Sequence, residues 1–411
     1  MAHFDPTDPR WIHDPLPLFD ELRDEAPVHQ VPDGYWVFSR HADCLGVLRD
    51  RRASSDSLHV DPARAPKGFN GPERTQMRAS LLNGGEDTRP FLFRDPPDHT
   101  RLRGLVQRAF TPRTVASLTG FITAEADRLI DDALDREVFD VVDALAWPLP
   151  VAVICELLGV PPEDHTEFRA AWASLARGLD PEFLLPEEAR VARDEALVHF
   201  AMYFHGLFEE RRRNPGDDLL SALVAAHDGE DRLSDGELLS TAILLLVAGH
   251  ETTVNLLSGG TLALARDPVA QAAWRADAAL DRTAPDELLR CTSPVQLTGR
   301  TLVEPMCVGG VDLEAGTFCM LLLGGANRDP AAFSDPTSVH LDREPNRHLG
   351  FGFGLHHCLG APLARLEARI ALRRLLDRTS SFDVADDETV RYRPHFVLRG
   401  LARLDLAAMA A

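Results

Sequence analysis

The sequence predicts a mainly α fold, organised as a single domain over residues 1–411 with a small β-rich lobe. Most of the chain carries apolar residues at helical spacing in Ala-, Leu-, Arg- and Glu-rich surroundings. Short β-type runs interrupt that pattern at 35–38, 306–311 and 318–323, and more weakly near the C-terminus. No repeat or low-complexity linker divides the chain, and 45% apolar residues suffice for a substantial core.

Composition and charge exclude several classes of function. With 64 acidic and 43 basic residues, the net charge of −21 argues against a nucleic-acid binder or a protein held on an anionic membrane. The first residues lack the basic and apolar runs of a signal peptide or membrane anchor. Six scattered cysteines without a disulfide pattern fit a reducing compartment. We therefore expect a soluble, cytoplasmic protein that acts as a monomer.

The first chemical signal follows a Pro- and Gly-rich loop over residues 60–93, which we expect to be functional because long loops in compact proteins usually are. A helix then opens at Asp95-Pro-Pro-Asp-His99. His99 and Arg103 lie four residues apart on one helical face, an arrangement that suits a ligand carboxylate. Alone, the same pair is also typical of a solvated face.

A long apolar helix is predicted from Leu238 to Arg266, introduced by a capping box at Ser234 and Glu237 and stopped by Asp267-Pro268. At 1.5 Å per residue, such a helix measures roughly 43 Å and would cross a whole domain. Its middle reads Ala-Gly-His-Glu-Thr-Thr over 248–253. Small residues there, beside a glutamate that is costly to bury, indicate a space next to the helix. The alternative is a locally less stable stretch of the helix, in which the glutamate is capped by a hydrogen-bond partner.

A cysteine surrounded by glycines, in Phe351-Gly-Phe-Gly-Leu-His-His-Cys358-Leu-Gly360, precedes a helix predicted over 361–376. Glycine permits close backbone approach to a flat ligand, and a helix N-terminus favours a thiolate. Haem iron is the natural partner of such a thiolate. The alternatives are a buried structural cysteine, a Cys–His nucleophile, or a zinc site, for which the chain lacks any C-x-x-C pair.

The pattern F-G-x-G-x-H-x-C-x-G resembles the haem-binding loop of the cytochrome P450 family. The segment at 95–103, the 248–253 motif and Glu287-Leu-Leu-Arg290 resemble further motifs of that family in the expected order, over about residues 10–405. The resemblance implies haem b buried between the long central helix and the cysteine loop. It also implies a mobile helical lid within 165–210.

The resemblance also implies roles for individual residues. Cys358 would be the axial ligand of the iron, and Glu251 and Thr252 would deliver protons to dioxygen. Glu287, Arg290 and Arg343 would form a buried structural network. The remaining residues expected at the cofactor are His99, Arg103, Ala248, Gly249, Arg300, Phe351, Gly352, His356 and Gly360.

The implied activity is that of a haem-thiolate monooxygenase, which inserts one oxygen atom of O₂ into a small hydrophobic substrate by hydroxylation or epoxidation. A tailoring step in natural-product biosynthesis is expected from family habits. Electrons would come from a ferredoxin and its reductase, since the chain has no flavin or nicotinamide fingerprint. Expected substrate contacts are Leu82, Leu92, Leu244, Val247, Val295, Leu297 and Thr298.

A basic patch is predicted as the docking surface for an acidic ferredoxin, with a solvated helix face as the alternative. Its members are Arg365, Arg369, Arg373, Arg374, Arg101 and Arg108. Three rival functions stay open at this point. A peroxide-driven relative would usually lack the Glu251–Thr252 pair, a haem sensor would not need it, and a Cys–His hydrolase would be colourless.

Overall fold

The computed structural model describes residues 4–61, 64, 89–165, 169–181, 184–228 and 231–411, and helices dominate this part of the chain. The predicted substrate contact Leu82 and most of the 60–93 loop lie outside the described residues. The helices are α1 (Arg10–His13), α2 (Leu16–Glu25), α3 (His41–Arg49), α4 (Asp98–Ala109), α5 (Pro112–Ser117), α6 (Thr119–Leu134), α7 (Pro148–Leu158), α8 (Arg169–Arg177), α9 (Glu187–Arg213), α10 (Leu219–Ala225), α11 (Asp235–Ala265), α12 (Pro268–Ala276), α13 (Ala284–Thr292), α14 (Leu323–Ala326) and α15 (Ala361–Arg378).

Short strands form small sheets, as the sequence predicts. The strands are β1 (Val28–Gln30), β2 (Trp36–Phe38), β3 (Ala53–Ser54), β4 (Val138–Asp140), β5 (His227–Asp228), β6 (Asp231–Arg232), β7 (Thr298–Leu302), β8 (Met306–Val308), β9 (Val311–Leu313), β10 (Phe318–Leu321), β11 (Thr379–Val384), β12 (Arg391–Tyr392), β13 (Leu401–Arg403) and β14 (Asp405–Ala410). The largest sheet has the order β1-β2-β10-β7-β3, and β2 and β10 pair in parallel. A three-stranded sheet has the order β11-β14-β4.

The run at 306–311, predicted as one strand, is instead a hairpin of β8 and β9. Gly309 and Gly310 adopt φ values of 59° and 84°, which reverse the chain between the two strands. This left-handed backbone is readily available only to glycine. The apolar residues on either side therefore pair with each other instead of extending one strand.

The central helix α11 confirms the sequence prediction, including the capping box between Ser234 and Glu237. It packs against α7, α13 and α15, and most of its side chains are buried in the main core. Among the described residues, α11 alone is long and apolar enough to cross a membrane, and 61% of its apolar window lies inside the protein. Burial of most of this window in the core explains its apolar composition without a lipid environment.

Candidate active site

The cysteine loop is a compact turn that ends at the N-terminus of α15. The N–H of Cys358 donates to the carbonyl of Phe351 at 2.9 Å and closes the loop. Gly352 and Gly354 have φ values of 66° and 70°. A Cβ at Gly354 would lie 2.7 Å from the carbonyl oxygen of Leu48, so both the conformation and the close approach require glycine. The sequence therefore presents Cys358 on a rigid loop.

The Cys358 side chain is exposed, although protein atoms surround it closely. Burial raises the pKa of the thiol above its ordinary value. The N–H groups of Gly360 and Ala361 and the charges of Arg103 and Arg365 lower that pKa, but they do not outweigh burial. The N–H groups at the start of α15 thus favour the thiolate, as the sequence predicts, while burial opposes them. Coordination to a metal deprotonates a thiol outright.

Four basic side chains cluster beside this loop: His99, Arg103, Arg300 and His356. The rings of His99 and His356 are in edge contact, with centroids 4.4 Å apart. Burial, followed by the charges of Arg300, His99 and Arg103, lowers the pKa of His356 to about 3. Burial also lowers the pKa of Arg300 to about 10. No carboxylate of a described residue forms an ion pair with any of the four, so together they form an anion site, in which His99 and Arg300 are buried.

Their hydrogen bonds show which polar atoms of the cluster are free. His99 is 1% exposed, and neither of its ring nitrogens has a partner among the described residues. Nε2 of His356 contacts Oγ of Ser55 at 2.9 Å, while its Nδ1 is buried with no partner in the described part of the chain. Arg103 donates to the carbonyl of His357 at 2.6 Å, which joins α4 to the cysteine loop. Orphaned donors next to a cysteine fit the two propionates of a haem.

The face of α11 around Ala248 and Thr252 borders an opening in the core. Ala248 is exposed in the middle of an otherwise buried helix, and Thr252 one turn later is half-buried. The Thr252 hydroxyl donates to the carbonyl of Ala248 at 2.9 Å. Gly249 does not widen this opening as expected, because a Cβ there would approach Cδ1 of Ile154 to 3.0 Å. The absence of a side chain at Gly249 instead allows α11 and α7 to pack closely at this point.

Glu251 is 2% exposed and forms an ion pair with Arg393, which donates through Nη1 to Oε1. This partner lies 142 residues further along the chain and was missed by the sequence analysis. Oε2 of Glu251 lies 3.7 Å from Nε2 of His250. Burial lowers the pKa of His250 to about 4, so this imidazole is neutral near pH 7. The charge of the buried glutamate is thus balanced by an arginine. The carboxylate is not left unpaired toward the opening beside Thr252.

Glu287, Arg290 and Arg343 form the expected network, in which Glu287 and Arg290 are both fully buried. Arg290 donates twice to the carboxylate at 2.8 Å, and Arg343 donates through Nε at 3.0 Å. The main-chain N–H of His340 and the amide of Asn346 also donate to it. Burial acts to raise the pKa of Glu287, but these partners outweigh it and hold the pKa below its usual range.

The described substrate-contact candidates separate into two groups. Leu92, Leu244, Val247, Val295 and Thr298 are half-buried, which leaves part of each side chain accessible. Leu297 is only 6% exposed and packs in a second core cluster with Phe318 and Phe396, so the structure makes it a core residue. Its burial comes from residues distant in the sequence, such as Phe396, which a local pattern does not show.

The predicted basic patch is largely neutralised by carboxylates. Arg365 pairs with Asp286, Arg373 with Asp377, Arg374 with Asp127 and Arg101 with Glu237. Arg108 donates to the carbonyl of His227, and Arg369 is exposed. Four of the six predicted members thus have carboxylate partners, which favours the alternative of a solvated helix face. Spacing along a helix shows which cations share a face, but not which carboxylates of other elements meet them.

Comparison with known proteins identifies relatives along the whole chain. A family model described as Cytochrome P450 matches residues 71–401. The polyketide biosynthesis cytochrome P450 PksS of Bacillus subtilis is 37% identical and covers 98% of both chains. Cytochrome P450 monooxygenase PikC of Streptomyces venezuelae is 40% identical over 96% of this chain and 91% of its own. The structure of P450BioI with an acyl carrier protein ligated to hexadec-9Z-enoic acid superposes with a TM-score of 0.86, at 35% identity over 98% and 100% of the two chains.

Proposed function

The chain belongs to the cytochrome P450 family of haem-thiolate monooxygenases, and we propose that it hydroxylates or epoxidises a small hydrophobic substrate in natural-product biosynthesis. The observation that carries the site assignment is the cluster of His99, Arg103, Arg300 and His356 around the cysteine loop, in which His99 and Arg300 are buried. Two guanidinium groups and two imidazoles without a carboxylate partner among the described residues favour a bound dianion, and the two propionates of haem supply one.

In this proposal, Cys358 would bind the haem iron as a thiolate, and the basic cluster would hold the propionates. Phe351, Gly352 and Gly360 would contact the haem from the cysteine loop. When bound, the haem supplies the activation of dioxygen, with the thiolate increasing electron density at the iron. The substrate lies against the half-buried apolar residues Leu92, Leu244, Val247 and Val295, with Thr298 beside them.

Proton supply is assigned to α11. Thr252 Oγ1 borders the opening and can exchange its bond to the Ala248 carbonyl for one to an oxygen substrate or a water. With haem and dioxygen bound, Glu251 would be the acid that supplies protons at this face of α11. The small side chain of Ala248 would leave room there.

Polyketide biosynthesis in the description of PksS supports the natural-product role. The acyl carrier protein bound to P450BioI adds a second substrate form to test, an acyl chain held on a carrier. The proposal further includes a ferredoxin-type electron donor, a cytoplasmic location, a monomeric state and a single cytochrome P450 domain over residues 1–411.

The first test is Cys358→Ser with Cys307→Ser as control, because Cys307 is also exposed but lies in the β8–β9 hairpin. The wild type and the control should give the same Soret position after reduction and exposure to carbon monoxide, whereas Cys358→Ser should not. Identical spectra for all three would refute the ligand assignment. Substrate-induced spectral shifts across polyketides, free fatty acids and carrier-bound acyl chains, followed by product analysis with ferredoxin, reductase and NAD(P)H, then test the reaction.

A further inference from the structure

Asp180 is a buried carboxylate just after the end of α8, and it belongs to none of the motifs found in the sequence. Its side chain is 1% exposed and forms an ion pair with Arg177 at 2.8 Å. Burial of a carboxylate is costly unless hydrogen bonds compensate it in addition to a countercharge. Asp180 obtains such bonds from a loop 216 residues further along the chain, at Phe396.

This loop covers residues 393–400 and connects β12 to β13, and two of its main-chain N–H groups donate to Asp180. The N–H of Phe396 lies 3.0 Å from both carboxylate oxygens, and the N–H of Val397 lies 2.8 Å from Oδ1. Hydrogen bonds to a charged acceptor are stronger than bonds between neutral groups. Asp180 therefore ties the middle of the 393–400 loop to the end of α8.

Apolar contacts join the same two segments. The side chains of Leu184, four residues after Asp180, and of Val397 pack against the second core cluster, which contains Phe396. The ring of Phe396 in turn lies against that of Phe4, with centroids 6.0 Å apart. The core thus holds the side chains of the loop, while Asp180 holds its backbone.

The 393–400 loop also borders the proposed substrate site, because it pairs with the segment before β7. The N–H of Gln296 donates to the carbonyl of Val397 at 2.8 Å, and Leu398 forms a β-bridge with Val295. Val295 is half-buried and is one of the expected substrate contacts. A displacement of the loop at its attachment to Asp180 would therefore also displace the backbone that carries Val295.

We propose that Asp180 is a positioning residue for substrate selection, which holds the 393–400 loop, and through it Val295, in place beside the substrate. The inference rests on the proposed function for the location of the substrate next to Val295. Asp180 acts through the loop and not by contact with the substrate. Without this carboxylate, fewer molecules hold the loop in the position that binds a large ligand, so the affinity for such ligands falls.

Hydrogen exchange at single-residue resolution in the haem-loaded protein measures the attachment of the loop. In Asp180→Ala, the N–H groups of Phe396 and Val397 should exchange about ten- to hundredfold faster, because hydrogen bonds to a charged acceptor are lost. Asp140→Ala is the matched control, since the Asp140 carboxylate also accepts two main-chain N–H groups, at 2.9 and 3.0 Å. It should leave exchange at Phe396 and Val397 unchanged.

The variant Arg177→Gln separates the main-chain bonds from the ion pair. It removes the arginine partner of Asp180 but keeps the carboxylate beside the loop. Exchange at Phe396 and Val397 should therefore change less than in Asp180→Ala. An equal change in both variants would show that the ion pair holds the loop and would contradict the assigned role.

Two haem-iron ligands of different size test the effect on the site. 4-Phenylimidazole adds to imidazole a phenyl ring that needs the apolar space of the proposed substrate site. Its Kd, measured from the Soret shift, should rise at least about threefold in Asp180→Ala, because fewer molecules hold the loop in the competent position. The Kd of imidazole should stay the same. The ratio of the two constants is a readout that a general loss of stability would not change.

The outcomes separate this inference from the proposed function. Equal exchange at Phe396 and Val397 in Asp180→Ala, Asp140→Ala and the wild type would overturn the role of Asp180, and so would an unchanged ratio of the two Kd values. A wild type that binds haem and both imidazoles but consumes no NAD(P)H with ferredoxin and reductase would overturn the monooxygenase proposal, while exchange and the Kd ratio would still decide the role of Asp180. Should Asp180→Ala not fold, Asp180→Asn takes its place, because a neutral acceptor weakens the same bonds; wild-type exchange in that variant would contradict the proposal.

Discussion

The substitution Glu287→Gln tests how much the buried network of Glu287, Arg290 and Arg343 contributes to stability. Glu287 accepts hydrogen bonds from Arg290, Arg343, Asn346 and the main chain of His340. Its side chain and that of Arg290 are both 0% exposed. Glutamine keeps the shape but removes the charge, so two guanidinium groups lose their countercharge at a site without water access.

The expected loss follows from that burial. Breaking a buried ion pair by removing one partner costs about 3–5 kcal/mol, because the remaining charge stays desolvated. The pKa of Glu287 lies below its ordinary value, so the stabilisation is present above the unfolded pKa and is lost as the pH falls through the folded pKa. The wild type and the variant should therefore differ in unfolding free energy by this whole amount at pH 7. The difference should become smaller below about pH 4.

Chemical unfolding in guanidinium chloride, followed by far-UV circular dichroism at equal haem content, measures this loss. Glu344→Gln is the matched control, since Glu344 forms a bidentate pair with Arg282 at 2.7 and 2.8 Å but both side chains are well over half exposed. An exposed pair contributes about 0–1 kcal/mol. If Glu287→Gln loses no more stability than Glu344→Gln, burial does not set the strength of this network and the reasoning fails.

Two further predictions concern His250 and the cysteine loop. Because burial lowers the pKa of His250 to about 4, the unfolded chain binds more protons between about pH 6.5 and 4, and stability falls as the pH drops through that window. His250→Phe should remove up to about 3 kcal/mol of the difference in unfolding free energy between pH 7 and pH 4; an unchanged difference would contradict a buried neutral imidazole. Gly354→Ala should lower unfolding free energy and haem retention more than Gly310→Ala, because both have positive φ but only the Gly354 Cβ meets a carbonyl, that of Leu48 at 2.7 Å. Both alanines share a conformational cost of about 1–2 kcal/mol, so equal losses would show that this contact is unimportant.

The helices, their capping and the order of the motifs follow from local sequence. The capping box at Ser234 needs only residues within one turn, and the apolar length of α11 needs only its own periodicity. Glycines at 352 and 354 likewise have a local cause, since their φ values exclude other side chains. These signals are short-range, which is why they could be found without the fold.

Other expectations failed where contacts join distant segments. Gly249 was expected to enlarge an opening, but its small size admits Ile154 from α7. The arginines of α15 share a face, as their spacing indicates, yet carboxylates such as Asp286 and Asp127 neutralise them. Periodicity gives the face of one helix and not the identity of the element that packs against it.

By itself, the sequence determined the class of fold, the family and the residue types at the cysteine loop, because backbone preferences and short motifs are local properties of the chain. Only the tertiary structure decided that Glu251 pairs with Arg393, that His99 and His356 meet at an anion site, and that Leu297 belongs to the core. The physical reason is that burial and charge pairing depend on which surfaces meet in space, and those surfaces come from segments far apart in the chain.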